Sequence, residues 1–145
     1  MMPVTIRPMT PDDYAPVYAL WQASEGMGLG RADTREAITR YLLRNPGLSF
    51  TAWDGDELVG AVLAGHDGRR GFFHHMAVRA SHRKQGIGRA LTTCCEQALL
   101  AEGIDKAHLF VYAQNTAGQS FWRQAGWYDR PELVLMSRDV QPLER

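Results

Sequence analysis

The residues with the clearest chemical use lie in Arg83-Lys84-Gln85-Gly86-Ile87-Gly88 and the Arg89 that follows. Glycines at 86 and 88 let backbone N–H groups approach a ligand that any side chain would hold away. A helix starting inside this turn adds unpaired amides and the positive end of its dipole. Arg83, Lys84 and Arg89 place cations where diphosphate oxygens would lie. Charge along the chain agrees: no Asp or Glu occurs between Asp67 and Glu96, whereas Arg69, Arg70, Arg79, Arg83, Lys84 and Arg89 all do. A solvated basic face would also gather such charges, but the coincidence with the glycine turn favours a ligand.

Two other phosphate-binding patterns fail. A Walker loop needs Gly-Lys-Ser/Thr at its end, which is absent. A dinucleotide turn needs a third glycine near 91, where Leu91 stands, and it follows the first strand of a parallel sheet.

The elements that must hold this turn follow from pattern. Val4 to Pro8 reads as a strand, and Thr10-Pro11-Asp12-Asp13 opens a helix with Tyr14, Val17, Tyr18 and Trp21 on one face. Ser24 to Arg31, with Gly26, Gly28 and Gly30, is a flexible loop. Asp33 and Glu36 open a second helix that ends at Asn45-Pro46-Gly47. Leu48 to Trp53 and Glu57 to Ala64 are strands joined at Asp54-Gly55-Asp56. Phe72 to Arg79 is a strand, Gly86 to Glu102 a helix with Ile87, Leu91, Cys94 and Ala98 on one face, and Lys106 to Ala113 a strand. Asn115 to Gln124 is a helix, and Leu133 to Arg138 a last strand. The order predicts one domain over residues 1–145: an α/β (α+β) fold with a mixed, mostly antiparallel sheet of six to seven strands and helices on both faces.

At this point the chain resembles a family. Val78 followed by Arg83-x-x-Gly86-x-Gly88 is similar to the acetyl-coenzyme A signature of the GNAT-type N-acetyltransferases. Asn115-x-Ala117-x-x-x-Phe121-Trp122-x-x-x-Gly126-Trp127 resembles their second cofactor segment. The order of elements matches nearly throughout, and from Leu48 onward the chain looks like small stand-alone bacterial members. The resemblance implies that acetyl-coenzyme A is the cosubstrate. The strand Met76-Ala77-Val78 would pair with its pantetheine arm, and amides of Arg83, Lys84, Gln85, Gly86, Ile87, Gly88 and Arg89 would hold its pyrophosphate. Asn115 would contact the cofactor and Phe121 line its path, between strands that splay apart near Val78 and Val111. Read from the residue alone, Asn115 serves equally as a helix N-cap.

Acetyl transfer needs a deprotonated amine, a polarised carbonyl and a protonated leaving thiolate. A backbone N–H near Met76 would polarise the carbonyl. His74 and His75 can each take a proton near neutrality; strand alternation predicts that they face opposite sides, so that at most one serves. Each also suits plain packing. Family members often carry a tyrosine after the Phe121 position, where this chain has Trp122, and an indole supplies no proton at neutral pH. Tyr112 and Tyr128 are the neighbouring phenols, and Tyr112 is the catalytic candidate. Glu25, in the loop that would frame the acceptor, and Trp122 are candidate acceptor contacts, whereas Trp21 and Trp53 read as core. Cys94 and Cys95 sit mid-helix without a neighbouring histidine, so direct attack by the amine is expected rather than an acyl-enzyme.

The bulk sequence narrows the setting. Sixteen Lys+Arg balance 16 Asp+Glu, which argues against a nucleic-acid partner. No apolar run reaches the ~18 residues of a membrane helix, and the start lacks an apolar signal core. Two adjacent cysteines make neither a disulfide framework nor a metal site. A cytoplasmic enzyme without a metal is expected, its acceptor being a small-molecule or peptide amine; a homodimer is compatible but not required. A coenzyme A-binding regulatory or sensor module without turnover is the alternative, suggested by Trp122. A different nucleotide- or phosphate-binding domain is the third reading, disfavoured by the failed motifs.

Overall fold

The structure is a computed structural model in which residues 3–141 are described. They form two compact units, one ending at Gln114 and one beginning at Asn115. In the first unit β1 (Thr5–Pro8), β2 (Phe50–Asp54), β3 (Glu57–His66), β4 (Gly71–Val78) and β5 (Ala107–Leu109) make one sheet in chain order. The first three pairings are antiparallel and β4–β5 is parallel. Helices α1 (Tyr14–Gln22) and α2 (Arg35–Arg44) precede β2, and α3 (Ile87–Ala101) crosses from β4 to β5.

Both faces of the sheet are covered, as β3 shows directly. A Cβ at Gly60 would meet Leu91 and Ile87 of α3, whereas one at Gly65 would meet Tyr41 and Asn45 of α2. Positions an odd number apart on a strand face opposite sides, so α3 lies on one face and α2 on the other. On the α1–α2 face Val17, Trp21, Ile38 and Leu42 pack with Leu58, Ala61, Leu63 and Ala77. On the other, Ile87, Leu91, Cys95 and Leu99 are the buried stripe of α3. The stripe thus runs through Cys95 and Leu99, one residue past the Cys94 and Ala98 expected from periodicity.

Local chemistry explains the element ends. The β2–β3 hairpin closes through Gly55-Asp56, with Gly55 at φ 62°. Before α1, the Asp13 carboxylate accepts the Thr10 N–H at 2.9 Å across a single 3-10 turn, Pro11–Asp13. Helix α2 begins later than Asp33: Thr34 is its cap, accepting the Ala37 N–H at 3.1 Å, and Asp33 ends a separate 3-10 turn, Arg31–Asp33.

Two expected strands differ. The segment expected as Lys106 to Ala113 pairs only over Ala107–Leu109. Leu133 to Arg138 forms no strand, and its apolar side chains are exposed, Val134 at 83% and Met136 at 86%. Alternating apolar residues supply the face of a strand, but a strand also needs a neighbour for its backbone hydrogen bonds. The sheet among the described residues therefore has five strands rather than six or seven. In the second unit α4 (Thr116–Gln124) ends at Gly126, φ 99°.

The closeness of α2 to Gly65 gives a direct test of this packing. Gly65→Ala places a Cβ about as near as 2.6 Å to Asn45 Cγ and Tyr41 Oη. It is expected to destabilise the fold by about 1–3 kcal/mol, read as a lower urea midpoint with an unchanged slope.

Candidate functional site

The parallel pair β4–β5 opens early. It is joined at Gly71↔Ala107, Phe72↔His108 and Phe73↔Leu109, and there β5 stops while β4 runs on to Val78. Among the described residues, 74–78 therefore have β3 on one side and no strand partner on the other. The gap lies at the carboxyl ends of the parallel strands, the end at which α3 begins, where open sheets place ligand crevices. The Arg79 N–H bonds to Val59 O at 2.7 Å, so backbone groups at Arg79 and Ala77 face β3. Alternation turns those of Val78 and Met76 toward the gap. Arg83 Nε already donates to the Val78 carbonyl at 3.2 Å.

Below the gap the turn is shaped by two left-handed residues. Lys84 has φ 64° and Gly86 φ 82°, and Gly86 is the N-cap of α3. Left-handed residues alternating with right-handed ones direct successive N–H groups into one concavity that suits an anion. The first intrahelical bond is Ala90 N–H to Gly86 O, 3.0 Å, so the amides of Ile87, Gly88 and Arg89 have no partner within the helix. No side chain caps this end. The space beyond Gly86 is open where a Cβ would stand.

The basic cluster thins in three dimensions. Arg79 pairs with Glu57 at 3.4 Å and donates to Leu58 O, and Arg70 lies 3.8 Å from Asp105. Among the described residues Lys84 and Arg89, at the turn and the start of α3, have no acidic partner. Beside the turn Asp54, Glu57 and His82 bring metal-ligand-type atoms within 4.8 Å, but His82 Nε2 is bonded to Asp54 Oδ2 at 2.9 Å and Arg79 engages Glu57.

The two histidines do not part to opposite faces. Between the pairs Ala61↔Ala77 and Leu63↔His74, β3 contributes one residue, Val62, and β4 two, His75 and Met76. This is a β-bulge, and His75 bears it at φ 52°, a left-handed conformation unusual for any residue but glycine. The extra residue breaks the alternation on which the expectation rested. Both rings consequently meet the α1–α2 layer. His74 packs edge-on to Tyr41 at 6.2 Å between centroids and near Phe110 at 6.4 Å. His75 packs edge-on to Trp21 at 4.9 Å, and its Nε2 lies 2.8 Å from Asp33 Oδ1.

Asp33, which helical pattern alone made a helix opener, is the residue that sequence reasoning missed. Its side chain is 9% exposed, Oδ2 accepts the Gly30 N–H at 2.9 Å, and its carbonyl accepts the Tyr14 hydroxyl at 2.6 Å. The signal available was weak: an acid at the end of the glycine-rich loop, 42 positions from its partner. Tyr112 is exposed, and its hydroxyl lies against Gly28 of the same loop, where any Cβ would collide with it. Glu25 is exposed on that loop.

Cys95 is buried, which pushes its thiol above the usual range, with Cys94 and Glu96 adding to the effect. It is thereby a poor nucleophile at neutral pH. Trp21 is fully buried, and Trp53 is half-buried under Arg7, whose guanidinium stands 4.3 Å from the ring centroid. In the second unit Asn115 caps α4, its Oδ1 accepting the Gly118 N–H at 2.9 Å. Trp122 sits edge-on to Phe121 at 5.0 Å and to Trp127 at 5.2 Å. No helix of the described residues is long and apolar enough to cross a membrane.

Known proteins share this arrangement. Residues 14–127 match the model of the acetyltransferase (GNAT) family, a span that crosses from the first unit into the second. An acetyltransferase of Pectobacterium atrosepticum is 35% identical over 112 residues, covering 77% of this chain and 79% of its own. One from Photorhabdus laumondii is 32% identical over 134 residues, covering 92% and 93%. Among solved structures, an aminoglycoside 6'-N-acetyltransferase of Acinetobacter haemolyticus has a TM-score of 0.77 at 15% identity, covering 94% of this chain and 99% of that one. Diaminobutyrate acetyltransferase of Paenibacillus lautus, in complex with L-2,4-diaminobutyric acid and coenzyme A, has a TM-score of 0.73 at 20% identity, covering 86% and 75%. At those identities the structures establish the fold.

Burial holds His74 below the usual histidine value, and neighbouring His75 adds to the effect. The unfolded chain therefore binds a proton at His74 sooner than the folded one as pH falls. Stability is lost from about pH 6.5 downward and levels off below the depressed folded value. His74→Gln is expected to flatten this part of the curve, read from urea midpoints at successive pH values; an unchanged slope would contradict the assignment.

Proposed function

We propose that this chain, which belongs to the acetyltransferase (GNAT) family, carries the acetyl group of acetyl-coenzyme A to an amine by direct attack, without a covalent acyl-enzyme. The observation that carries the reading is the coincidence of three features at one end of the sheet. They are the early parting of β4 from β5, the left-handed turn at Lys84–Gly86, and the unpartnered amides opening α3. The family match supports acetyl transfer itself and, spanning residues 14–127, supports one acetyltransferase domain built from both units.

Amides of Arg83 through Arg89, with Lys84 and Arg89 side chains, take the pyrophosphate. Backbone groups of Met76 and Val78, with Ala77 between them, take the pantetheine arm as an added strand. A carbonyl threaded into the gap meets backbone N–H groups around the bulge, where a developing oxyanion is stabilised. Asn115 and Phe121 are assigned cofactor contacts on their motif, and Trp122 an acceptor contact. Capping does not compete with such a contact for Asn115, because its side-chain amide keeps donor capacity while Oδ1 caps. Tyr112 is assigned the proton for the leaving thiolate, since Trp122 cannot supply one. Glu25 and the loop from Ser24 to Asp33 frame the acceptor, an amine of a small molecule or peptide. No observation favours a coenzyme A-binding module without turnover.

Thiol release from acetyl-coenzyme A across an amine panel tests the reading. Initial rates with both substrates varied should give intersecting lines; parallel lines would instead mark a covalent acetyl-enzyme. The double variant Lys84→Ala/Arg89→Ala should raise the dissociation constant for acetyl-coenzyme A by about tenfold or more, the loss of charge-assisted contacts. Unchanged affinity would remove the turn from the site.

A further inference from the structure

The bulge at His75 meets the buried Asp33. A bulge that forces a non-glycine residue to φ 52° is strained backbone, and strain of this kind persists where the surroundings over-determine it. Here they do. Asp33 Oδ1 holds His75 Nε2 at 2.8 Å, Gly30 N–H holds Oδ2, the Tyr14 hydroxyl holds the Asp33 carbonyl, and Trp21 packs against the ring. The imidazole is fixed by groups from two segments, α1 and the Gly30–Asp33 turn.

An ionised carboxylate only accepts hydrogen bonds, so the neutral imidazole must carry its hydrogen on Nε2 and its lone pair on Nδ1. The His75 side chain is 20% exposed against 9% for Asp33, so the ring has more contact with solvent than the acid. His75 also lies on the stretch of β4 that has no β5 partner. We propose that His75 is the general base of the acetyl transfer, receiving the acceptor's proton on Nδ1, and that Asp33 is the positioning residue that fixes this tautomer and stabilises the imidazolium. The proposal rests on the acetyltransferase reading above.

The protons balance. An acceptor ammonium loses one proton to Nδ1, and the resulting amine attacks the thioester carbonyl carbon. The C–N bond forms, the C–S bond breaks, Tyr112 protonates the coenzyme A thiolate, and the second proton lost by nitrogen restores the Tyr112 hydroxyl. The imidazolium then releases its proton to solvent. The other titratable or charged groups around His75 are His74 on its own strand, Tyr14 of α1 through the Asp33 carbonyl, and Arg35 of α2, stacked 4.9 Å from the Tyr14 ring centroid.

Thiol release with ethylamine as acceptor, followed from acid to alkaline pH, separates this role from simple bracing. In the wild type, kcat/KM should fall on an acid limb. His75→Gln should lower kcat by about 100-fold or more and abolish that limb. Asp33→Asn should move the limb to lower pH, because the charge that favours imidazolium is gone. Neither substitution should change acetyl-coenzyme A affinity by calorimetry. A limb that survives His75→Gln, or stays in place in Asp33→Asn, overturns the proposal. Asparagine cannot accept both the His75 and Gly30 bonds, so if Asp33→Asn does not fold, 15N-histidine NMR of the wild type decides. Hydrogen on Nε2 supports the proposal, and hydrogen on Nδ1 overturns it. Absence of ethylamine turnover in the wild type also overturns it; acetyl-coenzyme A binding retained in that case leaves the parent reading standing, and its loss removes both.

Discussion

Strand β4 carries one residue more than β3 between Ala61↔Ala77 and Leu63↔His74, and most of the site follows from that mismatch. The extra residue bends the strand and sharpens its twist. It puts both histidine rings against the α1–α2 layer and gives His75 the left-handed backbone that reaches Asp33. On its other edge β4 has already lost β5 after Phe73. A strand bulged on one side and unpartnered on the other offers hydrogen-bonding groups to a ligand without first breaking a ladder.

The helices hold this geometry from both faces. Trp21 and Val17 fill the α1–α2 face, while Ile87, Leu91, Cys95 and Leu99 anchor α3 to the opposite one. The stripe anchors α3 from its first residue, and the backbone amides of that first turn have no partner within the helix at the open end of the sheet. The basic residues sort accordingly. Arg70 and Arg79 are matched by acids, and among the described residues Lys84 and Arg89 are not. On the proposed reading, donor recognition is concentrated in backbone and turn, apart from the loop from Ser24 to Asp33 that frames the acceptor.

Much of this was legible in the sequence because it is local. Glycines 86 and 88, the Asp54-Gly55-Asp56 hairpin and the 3.6-residue periodicity of α1 and α3 act over a few positions, and each element appears where expected, although the buried stripe of α3 passes through Cys95 and Leu99 instead of Cys94 and Ala98. What was not legible depends on partners far along the chain. A bulge is a difference in count between two strands, so nothing within His74-His75-Met76 announces it, and alternation predicts the wrong side for one ring. The Asp33–His75 bond spans 42 positions, and Asp33 by itself looks like one more helix-opening acid. Leu133 to Arg138 shows the reverse error: the apolar alternation is present, but pairing decides whether it becomes a strand.

The central claim is that acetyl-coenzyme A lies along β4 with its pyrophosphate on the β4–α3 turn. The most direct measurement is the change in backbone amide NMR signals as acetyl-coenzyme A is added. The account predicts changes concentrated at residues 74–78 and 84–89, with β1 and α2 left quiet. Changes that avoid the turn, or no changes with acetyl-coenzyme A present in excess, would contradict it.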